Sequence, residues 1–73
     1  RRLCFYMKNT LIPLDIAFIN ENGRIAEIRS MQPMDETPVC SGTKAKYALE
    51  VRRGFFDRRN ITVGEKLEFG QFD

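Results

Sequence analysis

The sequence predicts a mainly β domain with one short helix, an α+β arrangement built as a small, mostly antiparallel sheet or a partly open barrel. Three observations carry this. Short apolar stretches recur along the chain, several alternating with polar residues as half-buried strands do. Asn22-Gly23 lies between two of them, and this dipeptide is the strongest short hairpin signal because both residues accept positive φ. Connections are mainly local, which favours antiparallel neighbours. At 73 residues the chain is one domain, of a size that buries about 60% of the surface it exposes when unfolded.

The first strand is read over Leu3 to Met7, with Leu3, Phe5 and Met7 on one face and Cys4 and Tyr6 on the other. Lys8 to Pro13 is a connection, since Pro13 offers no ladder donor and biases Ile12 towards extended geometry. Leu14 to Ile19 is the second strand; its apolar residues fall on both faces, which predicts a strand covered on both sides. The Asn22-Gly23 hairpin leads to a third strand from Arg24 to about Met31. Ile25 and Ile28 differ in parity there, and a bulge near Ala26-Glu27 restores a common face. Residues 32–43 contain Pro33, Pro38 and Gly42 and are read as the longest loop. Lys44 to Arg52 is a strand with Ala45, Tyr47, Leu49 and Val51 facing one way. Gly54 to Arg59 is a short helix with Phe55 and Phe56 on its buried side and Asn60 at a left-handed stop. Lys66 to Phe69 is the last strand.

Composition narrows the function classes. Histidine is absent, so the chain supplies neither an imidazole base nor a histidine metal ligand. No apolar run approaches the roughly 20 residues of a membrane-spanning helix. A net charge of +2 is too mild to indicate nucleic acid. The two cysteines, Cys4 and Cys40, allow one disulfide but no four-thiolate zinc site. Two free thiols are the expectation, because small disulfide frameworks usually hold more cysteines and nothing in the sequence lays the loop around Cys40 over the first strand. The chain begins Arg1-Arg2-Leu3 and is read as a processed or truncated product. The twin arginine is followed by no apolar core or cleavage motif and is not a targeting signal.

The run Met7-Lys8-Asn9-Thr10-x-Ile12-Pro13-Leu14-Asp15-Ile16-x-Phe18-Ile19 resembles the signature of the domain of unknown function 192 family, small prokaryotic proteins. Asn22-Gly23-Arg24-Ile25, Pro38-Val39-Cys40-Ser41-Gly42, Tyr47-Ala48-Leu49-Glu50-Val51, Gly54 to Asn60 and Ile61-x-x-Gly64-Glu65-x-Leu67 continue the likeness in order and spacing. The family more often has Trp at Tyr6, Gly at Asn60 and Asp at Glu65. It does not supply a pair for Cys40. The resemblance implies a further N-terminal stretch with a Gly-Leu-Met-type motif, so the chain is expected to lack the N-terminal part of the family domain. It also implies an extracytoplasmic location, periplasmic, secreted or envelope-anchored, and no assigned reaction.

Candidate ligand-binding residues are Lys8, Asn9, Thr10, Asp15 and Glu50. The first four form the densest polar cluster beside an apolar strand; the competing reading is that Asn9, Thr10 and Asp15 satisfy loop backbone groups. Glu50 stands mid-strand, either exposed, paired with a base, or joined to Asp15 in a two-carboxylate site. Arg52, Arg53, Arg58 and Arg59 read as a solvated basic rim, and Tyr6, Met31 and Met34 as a groove lining or as core filling. Three functions follow. The first is a cell-envelope or secreted binding or accessory domain for an unknown small ligand or protein partner, with no cofactor. The second is a carboxylate-based or metal-dependent enzyme using Asp15, Glu50 and Lys8, against which the lack of an activated nucleophile weighs. The third, nucleic-acid binding through the arginine rim, rests on fold analogy alone and is not expected.

Overall fold

The computed structural model describes residues 2–67. Its elements are β1 (Cys4–Phe5), β2 (Leu14–Ile19), β3 (Ile25–Met31), β4 (Val39–Cys40), β5 (Tyr47–Arg52) and α1 (Phe55–Arg58). They form a three-stranded antiparallel sheet in the order β3-β2-β5 and a two-stranded antiparallel ribbon of β1 and β4. The described strands do not close into a barrel. No helix among the described residues is long and apolar enough to cross a membrane.

β2 is central, and every residue from Asp15 to Ile19 is buried. Alternation divides the core into two clusters. On the first face Ile16 and Phe18 pack with Met7, Met31 and Ala45, and Leu3, Phe5, Leu14, Val39 and Ala48 close around them. On the second, Ala17 and Ile19 pack with Ile25, Phe56 and Ile61, flanked by Ile28, Leu49, Val51, Phe55 and Leu67. The double coverage predicted for β2 is therefore present, with the β1–β4 ribbon on one side and α1 with its following turn on the other. Phe5 reaches the core with its ring 6.3 Å from that of Phe18.

The predicted bulge is also present. Phe18 pairs with Glu27 but Ile19 with Ile25, so Ala26 is the extra residue and Ile25 joins Ile28 on the second face. The turn before it differs from expectation. Gly23 alone has positive φ (80°), Asn20 N–H donates to Arg24 O, and Gly23 N–H donates to Asn20 O. This is a three-residue hairpin loop with glycine in the left-handed position. The Asn20 side chain accounts for the longer loop: its Oδ1 accepts the N–H groups of Asn22 and Arg24.

The helix ends as read. Asn60 has φ 54°; its N–H donates to Asp57 O and that of Ile61 to Phe56 O, the Schellman pattern, with Ile61 and Phe56 in apolar contact. The last predicted strand is represented by one antiparallel bridge, Lys66 with Arg24; Phe69 lies outside the described residues. Ala45 departs from the predicted parity. β5 begins only at Tyr47, the chain bends at Lys46, and Ala45 enters the first cluster while Leu49 and Val51 enter the second.

The largest correction concerns the cysteines. β4 lies inside the predicted long loop and places Cys40 directly opposite Cys4, and the two are joined in a disulfide. Opposed residues of an antiparallel pair project to the same face with their Cβ atoms close, so this register meets the geometric requirement. A two-residue strand carries no periodicity, which is why the sequence gives no sign of the pairing. Closing a separation of 36 residues stabilises by about 3–4 kcal/mol in the chain-entropy account. Alkylating the native protein without reductant should add no label by mass, and prior reduction should admit two; two labels before reduction would contradict the pairing.

Candidate functional site

Asp15 and the turn at Lys8 leave the two ends of one connection but enter different surroundings. Asp15 is the single polar residue of β2 and is 8% exposed. Its Oδ1 accepts the Ser30 hydroxyl at 2.8 Å, and its Oδ2 accepts the Gly54 N–H at 2.9 Å. Both oxygens are thus committed, one to the neighbouring strand and one to the residue that caps α1. Gly54 itself stands at φ 87°, and a Cβ there would lie 2.7 Å from Arg58 Nη1. The positive φ, more than the contact with the movable Arg58 tip, favours glycine at the position that brings this N–H onto the carboxylate.

Lys8 and Asn9 are exposed and form a tight turn in which Thr10 N–H donates to Met7 O. Asn9 takes φ 64°, a conformation asparagine tolerates better than other non-glycine residues. The turn is bolted to a second one. Met7 N–H donates to Asp35 O, and Met34 N–H donates to Thr10 O. Met34 is also at positive φ, 62°, where an unbranched apolar residue is strained by about 1 kcal/mol or more. Around these two turns lie four exposed apolar side chains: Tyr6 (58%), Leu11 (79%), Ile12 (44%) and Met34 (53%). Met31, read with Tyr6 and Met34 as a groove, is instead 2% exposed in the core.

Glu50 is exposed on β5. It pairs with Ile16, whereas Asp15 pairs with the next residue, Val51. Opposed residues share a face and successive residues alternate, so the sheet itself stands between Asp15 and Glu50. The five candidates therefore separate into an exposed turn (Lys8, Asn9, Thr10), a buried carboxylate with internal partners, and a carboxylate on an outer strand.

Other polar residues have roles that the sequence did not announce. Ser41 is fully buried; its Oγ accepts Leu3 N–H, its own N–H donates to Leu3 O, and its carbonyl accepts Arg2 Nε. Glu27 accepts the N–H groups of Gly42 and Thr43. Arg24, Arg29, Arg53, Arg58 and Arg59 donate to the carbonyls of Gly64, Cys40, Met31, Arg53 and Phe55. Three of the four arginines of the basic rim, Arg53, Arg58 and Arg59, thus donate to backbone carbonyls of the fold. Arg59 also lies 3.7 Å over the Phe55 ring. A depression of about 650 Å³ opens between the β2–β3 hairpin and the entry to β5, lined by Asn20, Glu21, Asn22, Lys44, Ala45 and Lys46; it includes none of the five predicted residues.

Comparison with known proteins adds a family and a structural relative. The model of the DUF192 family, described as an uncharacterized ACR, matches residues 1–69. The crystal structure at 1.22 Å of a protein of unknown function from Novosphingobium aromaticivorans DSM 12444 is similar, with a TM-score of 0.87 and 36% identity. The alignment covers 94% of this chain and 50% of that one, so the chain spans half the length of this relative. No curated protein matches the chain.

The Asp15 contacts set a direct expectation. Asp15→Ala leaves the Gly54 N–H and the Ser30 hydroxyl without their acceptor and should destabilise by about 3 kcal/mol, read by denaturant unfolding. A loss below about 0.5 kcal/mol, the range of an ordinary surface substitution, would show that the carboxylate does not hold the fold.

Proposed function

The chain belongs to the DUF192 family, and from that premise we propose that it is a non-catalytic binding or accessory domain that works outside the cytoplasm, in the envelope or secreted. The observation that carries the reading is the pair of joined turns. Lys8 stands exposed among Tyr6, Leu11, Ile12 and Met34, and two backbone hydrogen bonds fix the turns to each other. A rigid loop presenting apolar side chains beside one ammonium group suits recognition of a partner that has both apolar and acidic character. Holding Asn9 and Met34 at positive φ keeps that surface in one shape, which lowers the ordering cost of binding.

The Cys4–Cys40 disulfide supports the location, because such bonds persist in oxidising compartments and are rare in reducing ones. A carboxylate-based or metal-dependent reaction through Asp15, Glu50 and Lys8 has less support. Asp15 spends both oxygens on Ser30 and Gly54, and Glu50 projects from the opposite face of the sheet.

Amide-shift mapping during a screen of small polar molecules and short acidic peptides tests the proposal. Binders should move the resonances of Met7 to Ile12 and of Met34 and Asp35. Leu11→Ser should weaken them about tenfold, the scale of one lost buried leucine contact, with an unchanged melting temperature. Binders that map elsewhere, or turnover of a library member that is lost in a folded Lys8→Ala variant, would overturn it.

A further inference from the structure

Residues 3–7 and 35–41 run antiparallel beside each other, tied at intervals. At one end Ser41 N–H donates to Leu3 O, and Ser41 Oγ accepts Leu3 N–H. Cys4 then opposes Cys40 through the disulfide, and Phe5 opposes Val39. At the other end Met7 N–H donates to Asp35 O. The next contact, Met34 N–H to Thr10 O, is anchored differently: Leu14 pairs with Met31 a few residues further on, at the end of the β2–β3 register. The two hydrogen bonds that join the Lys8 and Met34 turns therefore have separate anchors. One hangs on the sheet and the other on the ribbon.

The ribbon is the weaker anchor. β1 and β4 have 2 residues each, and a two-stranded ribbon is marginal in water even when longer. Leu3, Phe5 and Val39 are only partly buried against the first cluster, while fixing both segments costs backbone entropy at every residue. The sheet stands on other contacts. β2 is in register with β3 and β5 along its whole length, and the second cluster draws its residues from 17–28 and 49–67. The covalent bond thus decides whether the ribbon is closed once the sheet has formed. Cys4 is exposed and Cys40 half-buried, which leaves the pair open to thiol–disulfide exchange.

We propose that oxidation of Cys4 and Cys40 completes the recognition surface, and that the chain with both thiols free keeps its sheet but releases residues 3–7 and 35–41. This rests on the Lys8 and Met34 turns being that surface, because release frees Tyr6 and breaks the Met7–Asp35 bond that fixes one turn to the other. Closure is an exchange with a donor disulfide. One cysteine thiolate attacks a donor sulfur and forms a mixed disulfide. The second cysteine displaces the donor and forms the Cys4–Cys40 bond, and the donor leaves as a dithiol with the two electrons and two protons. Such bonds form and persist in oxidising compartments, so the chain acquires its surface on reaching the location proposed for it.

Amide-shift spectra of the oxidised chain, and of the same chain reduced by dithiothreitol, test this. On reduction Leu3 to Met7 and Asp35 to Ser41 should move to unfolded shift values, whereas Ile16 to Phe18 and Leu49 should keep their folded ones. Oxidised glutathione, replacing the reductant, should restore the first spectrum. A reduced chain with native shifts at 3–7 and 35–41 would overturn the inference. So would a reduced chain that unfolds as a whole, which would make the bond a brace of the entire fold, or a released segment that oxidation does not return. Failure of the recognition reading shows separately, as binders of the oxidised chain that map away from Met7 to Ile12.

Discussion

The fold depends on one strand that has no free face. β2 carries apolar side chains to both sides, and each side needs a cover that the short chain must build from a different part of itself. The segment before β2 supplies one cover with Leu3, Phe5 and Met7, helped by Val39. The segment after β5 supplies the other with Phe55, Phe56 and Ile61. Burying β2 removes water from its one charged group, and a buried carboxylate is tolerated only with hydrogen-bond partners. Asp15 finds them in Ser30 and Gly54. The same requirement that makes this carboxylate look like a site in the sequence makes it a brace between sheet and helix in the structure.

The covers are thin, and polar ties hold them where apolar area is scarce. The β1–β4 ribbon is closed by the disulfide and by the paired hydrogen bonds of Ser41 with Leu3. The carbonyls of Gly64, Cys40 and Met31 are met by arginine side chains, and the Gly42-Thr43 amides by Glu27. Small domains commonly add such staples because their cores alone give little margin. The exposed apolar residues gathered at the Lys8 and Met34 turns belong to neither core cluster.

Features set by neighbours in sequence were legible before the structure. The facing of Leu3, Phe5 and Met7, the double coverage of β2, the bulge at Ala26 and the stop at Asn60 all follow from parity or from one residue's backbone preference. Features set by register between distant segments were not. The pairing of Cys4 with Cys40 needs β4, whose two residues give no periodic signal. The division of Asp15 from Glu50 needs the alignment of β2 with β5, and β2 shows apolar residues on both faces, so either alignment was open. The Asn22-Gly23 signal placed the hairpin correctly but not its loop length, because the Asn20 side chain that lengthens it acts from outside the dipeptide.

The most direct test of this account is native-state hydrogen exchange along the chain. If β2 is the element on which both covers rest, the amides of Ile16, Ala17 and Phe18 should exchange only through global unfolding, with the full denaturant dependence of the equilibrium transition. The Ser41 and Met7 amides, which belong to one cover, should exchange through a smaller opening that leaves β2 protected. Exchange of Ile16 to Phe18 through a local opening, while the ribbon amides remain protected to the global limit, would contradict the account and make the stapled ribbon the core.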